Sequence, residues 1–473
     1  MTTKNSVIQR EWPAYNTIWR WHFYAGIFCI PFILVLATTG AIYLFKPQLE
    51  TFLDRPFEHV SINEPRASAE AQVLAATTAV PGSRLNAYQL PLTQQSAVQI
   101  LVGRDKELYR VYVHPSTLKV LKLEREDSKF MSVIHRLHGT LLLGDRGSNL
   151  VELAASWTIV MIVSGLYLWW PRNANGLAGI LYPRLGRNGR MFWRDLHGVT
   201  GFWISLFALF LLLSGMPWAK SWGGMLKEVR NIGVGKMVQQ DWTTGRSSEL
   251  AERRSANTPV ADDGEHAEHM GHMHGKDSHS SHQQGLPSYA PIDRLIPTIQ
   301  SLGLAPPVLI TPPSMKVQNW AARSDAQNRP LRVNLVLDAN TGNIVSRKNF
   351  SDRPLLDRII GFGVAAHEGQ LFGWINQVLG VFTALGLILL SVSAVILWWK
   401  RRPSGVLGAP IARNNERFAW GLISLIGILG TLLPFLGISL LVVIAVERWI
   451  LPYFPGAQAY LGLNKTQVRV QGS

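Results

Sequence analysis

Four histidines recur in register in the two halves of this chain, His22 with His197 and His138 with His367. A glycine follows 18 residues after each member of the first pair, and a Trp-Trp pair begins 31 residues after each member of the second. Neutral imidazole is a ligand for haem iron, copper and zinc. Recurrence at four positions favours a shared ligand role over four unrelated interfacial histidines.

Long apolar runs are the elements that must position these histidines. Only 16% of residues are charged, against about 25% in a typical soluble domain. Crossing a hydrocarbon core of about 30 Å takes about 20 residues, and four runs are long enough, at about 19–46, 149–170, 197–218 and 374–399. A final apolar block at 418–452, interrupted by Pro434 and Gly437, predicts a hairpin of two short spans. The sequence therefore predicts six membrane spans.

Basic residues predict the orientation of the spans. They concentrate in the N-terminal segment and in the loops 171–196 and 400–417, which all fall on one side if there are six spans. By the positive-inside rule that side is cytoplasmic, with both termini, and segments 47–148 and 219–373 are external. The net charge of +15 is thereby assigned to membrane orientation, and no nucleic-acid partner is expected.

This orientation predicts two layers of histidines, with His22 and His197 at the cytoplasmic face and His138 and His367 at the outer face. One histidine from each of two helices is what a bis-His haem requires, so two haems would form an electron path across the membrane. His135 lies three residues before His138 on the same helical face and is an alternative outer ligand. Small residues in the spans allow close approach of helices or of a flat macrocycle, namely Gly26, Gly40, Gly201 and Gly215.

The external segments each predict a small α+β domain. The predicted helices are 68–80 and 291–303, followed by strands at 84–90, 97–102 and 108–113 and at 307–311, 318–323 and 331–337. The predicted fold is a membrane all-α bundle of about six helices, internally duplicated, with two periplasmic α+β domains. In chain order, the predicted membrane, external and cytoplasmic segments are 1–46, 47–137, 138–170, 171–196, 197–218, 219–366, 367–399, 400–417, 418–452 and 453–473.

A histidine-rich insert at 262–282 is a second candidate metal site. It contains six histidines and two methionines, of which His266, His269, His272 and His274 are the closest spaced. Histidine with methionine suits copper, and histidine alone suits zinc or nickel. A polar spacer with incidental metal affinity is the alternative interpretation.

Several other chemistries are excluded or lack their motif. The single cysteine, Cys29, excludes an intrachain disulfide and a thiolate-bound cluster. Neither a dinucleotide-binding G-x-G-x-x-G unit nor a P-loop nor an H-E-x-x-H zinc motif occurs. The cytoplasmic loops are too short for a flavin or nicotinamide domain, so electrons are expected from quinol or from a separate cytosolic reductase.

The segments WRWHFYAGIF, TTGAIYLF, IHRLHGTLLLG and SGLYLWWPR resemble the PepSY-associated transmembrane family of iron-regulated membrane proteins. The resemblance covers nearly the whole chain except the histidine-rich insert and the final hairpin. It implies PepSY-like external domains, two b-type haems and location in a bacterial inner membrane. Members include di-haem reductases that release iron from ferric siderophores, such as a ferrioxamine reductase.

The expected function is therefore reduction of a ferric siderophore or other ferric chelate at the periplasmic face, in contact with membrane lipid. A PepSY-based binding or regulatory protein and a copper-handling membrane protein are the alternatives. Which chelate is reduced, which donor supplies electrons and whether His135 or His138 is the outer ligand stay open.

Overall fold

The computed structural model describes residues 15–171, 176–186, 189–231, 288–313, 319–410 and 420–463. The chain divides into a helical unit, Met1–Phe45 with Ile134–Arg246 and Ala366–Ser473, and a sheet unit, Lys46–Val133 with Ser247–Ala365. The histidine-rich insert 262–282, with the candidate ligands His266, His269, His272 and His274, lies outside the described residues.

The described helices, in chain order, are α1 (Tyr15–Leu44), α2 (Lys46–Glu58), α3 (Ala69–Ala79), α4 (Phe130–Thr140), α5 (Gly144–Trp169), α6 (Arg190–Gly215), α7 (Lys220–Asn231), α8 (Pro291–Ser301), α9 (Leu355–His367), α10 (Trp374–Arg401), α11 (Trp420–Leu432), α12 (Pro434–Ala445) and α13 (Pro455–Leu461). Short helices α4 and α9 each end close to a predicted ligand histidine and immediately precede a long apolar helix.

Five helical segments of the described chain are long and apolar enough to cross a membrane, namely Tyr15–Leu44, Gly144–Trp169, Arg190–Trp218, Trp374–Arg401 and Pro434–Tyr453. The sixth predicted span is α11, with 13 residues. At 1.5 Å per residue it is about 20 Å long, which is less than a hydrocarbon core of about 30 Å. The chain is thus a multi-pass membrane protein in which the final apolar block contains one full-length helix and one short one.

Four of these helices pack in a cyclic order, because α1 and α6 each contact both α5 and α10. Small residues bring the backbones close together. A Cβ atom on Gly386 would lie 2.7 Å from Ile204, and one on Gly380 would lie 2.6 Å from Leu44. Glycine at these two positions therefore permits α10 to approach α6 and α1, as is common where helices associate within lipid.

The sheet unit contains eight strands in one antiparallel sheet, in the order β4-β3-β2-β1-β5-β6-β7-β8. The strands are β1 (Arg84–Gln89), β2 (Val98–Arg104), β3 (Glu107–Val113), β4 (Val120–Arg125), β5 (Val308–Thr311), β6 (Trp320–Ser324), β7 (Val333–Leu337) and β8 (Ile344–Asn349). One face packs against α3 and α8. Val98, Ile100 and Val102 alternate along β2 and are fully buried in that core, as the two-residue period of a strand requires.

The prediction of two separate α+β domains is wrong in one respect, because strands from both segments share this sheet. Tyr88 pairs with Ile310 and Gln89 with Leu309, which joins β1 to β5. Each four-stranded half would otherwise leave an unpaired edge, and pairing the two edges satisfies their backbone groups. The strands β4 and β8, which the sequence pattern did not predict, are the outer edges of the sheet. Their charged residues obscure the strand pattern but are typical of protected edges.

The other face of the first half-sheet holds a buried ion pair between Arg110 and Glu126. The guanidinium donates to the carboxylate through Nε at 2.7 Å and Nη2 at 2.8 Å, and through Nη1 to Gln89 and Gln99 at 2.7 Å each. Burial alone would raise the pKa of Glu126, but the Arg110 charge and hydrogen bonds hold that pKa below its usual value. Both Arg110 and Glu126 therefore have hydrogen-bond partners, although Arg110 is only 9% exposed.

Candidate functional site

Two of the recurring histidines lie together where α4 and α9 end. The ring centres of His138 and His367 are 6.3 Å apart and their planes are inclined by 81°. The Nδ1 of His138 is 3.1 Å from the hydroxyl of Thr39 on α1, and the Nδ1 of His367 is 2.9 Å from the hydroxyl of Ser214 on α6. Each ring is therefore anchored by a hydroxyl group on a membrane-spanning helix.

The other two histidines lie within the spans and are anchored in the same manner. The Nδ1 of His22 on α1 is 3.0 Å from the hydroxyl of Ser164 on α5. The Nδ1 of His197 on α6 is 3.1 Å from the hydroxyl of Ser393 on α10. All four predicted histidines are thus anchored by a hydroxyl group, and each pair matched in the sequence, His22 with His197 and His138 with His367, draws its members from different helices.

The hydrogen bonds of the four hydroxyl groups favour one tautomer of each ring. Every hydroxyl donates to a carbonyl one turn earlier in its own helix, and the accepting carbonyls belong to Val35, Met161, Phe210 and Leu390. A hydroxyl has one proton to donate, so it accepts from the imidazole Nδ1–H. In this tautomer the lone pair of each ring is at Nε2, the nitrogen that remains to bind a metal.

A small residue follows each anchoring hydroxyl, in Thr39-Gly40, Ser164-Gly165, Ser214-Gly215 and Ser393-Ala394. A Cβ atom on Gly40 would lie 3.2 Å from His138, one on Gly165 3.1 Å from His22, and one on Gly215 3.4 Å from His367. These three glycines leave space for the imidazole rings. Of the other glycines predicted for close approach, Gly26 faces Met161 and Gly201 faces Leu390, both at 3.6 Å, which is ordinary helix packing.

The two histidine pairs lie at different depths. On α1, His22 belongs to one pair and Thr39, the anchor of His138, belongs to the other. These positions are 17 residues apart, which is about 26 Å along a helix. The arrangement can hold one metal centre between each pair of imidazoles, one near each end of the four-helix group.

All four histidines lie in the part of the chain, residues 19–401, that matches the model of a protein family described as the PepSY-associated TM region. The chain belongs to this family. The family predicted from the sequence is thereby confirmed. No individual curated protein matches the chain.

His135, the alternative outer ligand, packs against a different ring in this PepSY-associated protein. Its ring lies against Tyr43 of α1, with centres 5.4 Å apart and planes inclined by 39°. His138 makes a hydroxyl hydrogen bond of the kind that also anchors the other three recurring histidines. The geometry therefore favours His138 over His135 as the member of the outer pair.

The indole ring of Trp218 also lies beside the outer histidine pair, with its centre 6.3 Å from that of His367. It precedes α7, whose first turn is held by Glu152 of α5. That buried carboxylate accepts hydrogen bonds from the backbone N–H groups of Ser221 at 3.0 Å and Trp222 at 3.2 Å. A negative charge at a helix N-terminus is favourable.

Sequence reasoning missed the anchoring residues Thr39 and Ser214, although a signal for them exists. They lie 17 residues after His22 and His197, respectively. Each comes one position before a glycine that the repeat between the two halves did identify. The first tryptophans of the two recurring Trp-Trp pairs also take matched roles. Trp169 donates its indole N–H to Ile180 at 3.2 Å and Trp398 donates to Leu407 at 2.8 Å.

Proposed function

We propose that this PepSY-associated protein binds two haem b groups and transfers electrons across a bacterial inner membrane to a ferric siderophore or other ferric chelate. The observation that carries the proposal is the set of four histidines in two pairs. Each has its Nδ1 occupied by a hydroxyl group and its Nε2 left to bind iron. His22 and His197 would hold the inner haem, and His138 and His367 the outer haem.

The dimensions of the outer pair are compatible with a haem iron between the rings. An imidazole nitrogen lies about 2.0 Å from a bound metal ion and the ring centre about 1.2 Å beyond it, so two axial rings have centres about 6.4 Å apart. The observed separation is 6.3 Å. Among the described residues no three His, Cys, Asp or Glu side chains converge as a metal site, and two imidazoles are the whole protein contribution to a bis-His haem.

Haem bound at these pairs supplies one-electron iron chemistry. The protein's own contribution is to hold the ligands. The four hydroxyl groups orient the imidazoles and raise their basicity, and the apolar helices exclude water from the ligand nitrogens. The separation of about 26 Å along α1 would place one redox centre near each face of the membrane.

The direction of transfer follows from the proposed topology. The basic loops would be cytoplasmic and the sheet unit periplasmic, so electrons would enter from quinol or a cytosolic reductase near His22 and leave near His367. Iron(II) binds hard-oxygen chelators less tightly than iron(III), so reduction would release the metal for uptake. The matched order of the described elements in the two halves, span, two helices, four strands, helix, span, supports an internal duplication.

A difference spectrum tests the proposal directly. Protein purified from haem-replete cells should show b-type reduced-minus-oxidised bands, and a pyridine haemochrome assay should give about two haems per chain. A haem-free protein would contradict the proposal and favour a binding or regulatory role for the sheet unit. The histidine-rich insert remains a proposed site for a loosely held copper or zinc ion.

Replacing Ser164 with alanine should shift the potential of the inner haem while leaving it bound. The Nδ1–H of His22 would lose its hydroxyl acceptor, which makes the imidazole less basic and stabilises iron(III) less. The loss of one hydrogen bond of about 0.5–1.5 kcal/mol corresponds to a rise of roughly 20–60 mV in the reduction potential of this haem. Ser156→Ala in the same helix is the matched control, because its hydroxyl donates to its own helix at Glu152. Equal potentials in both variants by redox titration would contradict the assignment.

A further inference from the structure

A cleft in the sheet unit combines cationic and aromatic side chains. Its volume is about 400 Å³, and its lining includes Arg332, Arg358, Phe350 and Phe362. Among the lining residues that the structure describes there is no carboxylate. We call this feature the arginine–phenylalanine cleft. Small-molecule sites commonly have volumes of about 300–1,000 Å³, so the cleft is large enough for part of an organic ligand.

The cleft is built by close packing of α9 on the segment that follows β8. A Cβ atom on Gly361 would lie 2.5 Å from the ring of Phe350, so glycine is required for this approach. Arg353 lies over the same ring at 5.4 Å. Arg332 is held in place by the Ala326 carbonyl at 2.7 Å and by Asp325 at 3.3 Å. The walls are therefore fixed by contacts within the unit.

Arg358 differs from Arg332 in its hydrogen bonding. Its Nε is shielded from solvent and has no hydrogen-bond partner in the described structure. A shielded donor on a cation without an acceptor costs free energy, and such a group needs an acceptor from a bound water or a ligand. Phe362, which lines the same cleft, is 46% exposed. A ligand with anionic oxygens beside an apolar or flat portion would satisfy both side chains.

We propose that the arginine–phenylalanine cleft binds the electron acceptor and that this acceptor is an anionic ferric chelate, an inference that rests on the proposed reductase function. Helix α9 carries Arg358 and Phe362 and ends at His367. Phe362 precedes His367 by five residues in the sequence. The same helix thus contributes to the cleft and to the outer histidine pair.

Binding can be measured without reduction by replacing iron with redox-inert gallium(III). The full-length protein in zwitterionic nanodiscs would be titrated with a gallium tris-catecholate, which is anionic, and with a neutral gallium tris-hydroxamate. We expect the anionic complex to bind more tightly and to lose affinity as salt is raised. Arg358→Gln should weaken binding roughly tenfold or more, the loss of a charge-assisted hydrogen bond, and Arg358→Lys should weaken it less.

Arg294→Gln is the matched control, because Arg294 is an exposed arginine on α8 of the same unit. It should leave the affinity unchanged within about twofold, since an exposed charge contributes little. Phe362→Leu should weaken binding of the anionic complex and tests the cleft without changing charge. Equal affinity for both gallium complexes, or wild-type affinity in Arg358→Gln and Phe362→Leu, would overturn the proposal. Haem content measured on the same samples separates this result from a failure of the di-haem proposal.

Discussion

Replacing His367 with alanine should reduce the haem content from about two to about one per chain. His367 and His138 come from different helices, and their rings are 6.3 Å apart, so a single iron between them would lose one of its two axial ligands. The inner pair lies about 26 Å away along α1 and has its own anchors at Ser164 and Ser393. A pyridine haemochrome assay with low-temperature absorption spectra should therefore show loss of one haem spectrum only.

The reciprocal variant and a control define this test. His22→Ala should remove the other haem spectrum, so that the two single variants together reproduce the wild-type absorption. His135→Ala should retain both haems, because His135 packs on Tyr43 rather than pairing with His367. Retention of both spectra in His367→Ala, or loss of one in His135→Ala, would show that the outer pair is wrongly assigned.

Replacing Arg110 with methionine should destabilise the sheet unit by about 3–5 kcal/mol, the usual cost of removing one partner of a buried ion pair. The change leaves the Glu126 carboxylate without its two guanidinium donors, and it leaves the oxygens of Gln89 and Gln99 without theirs. Hydrogen–deuterium exchange in β2 and β3 of the full-length protein measures the effect locally. Exchange from these strands should become much faster.

Arg104→Met is the matched control, because Arg104 is at the exposed end of β2 and its ion pair with Glu107 is long, at 3.8 Å. Such surface pairs contribute about 0–1 kcal/mol. Both variants should keep the haem content of the wild type, because the anchoring hydroxyls and histidines all belong to the helical unit. Similar exchange rates in the two arginine variants would show that the Arg110 pair does not stabilise the sheet.

The same ion pair predicts a pH dependence. The pKa of Glu126 is below its unfolded value, so its contribution to stability is fully present above the unfolded pKa of about 4.3. That contribution is lost as the pH falls through the lower folded pKa. Exchange from β3 should therefore accelerate on acidification more in the wild type than in Glu126→Gln, after correction for the intrinsic effect of pH. An equal acceleration in both would contradict the assigned pKa direction.

The sequence alone determined the features that depend on neighbouring residues. The long spans follow from runs of apolar residues, because a membrane helix satisfies its own backbone hydrogen bonds and needs no distant partner to be recognised. The register of His22 with His197 and of His138 with His367 is likewise visible as spacing. The helices α3 and α8 and six of the eight strands were predicted from local patterns, and the missed β4 and β8 are charged edge strands.

Only the tertiary structure decided which groups meet. Thr39 and His138 are 99 residues apart in the chain, and nothing in either local pattern identifies the hydroxyl as the anchor of that ring. The pairing of β1 with β5, which turns two predicted domains into one sheet, is also a long-range choice between free edges. Hydropathy and helical or strand period are set by nearby residues, whereas hydrogen-bond partners depend on how whole helices and strands pack. For this reason the sequence identified the histidines and two of the glycines beside them, and only the structure showed which hydroxyl group and which glycine contact each ring.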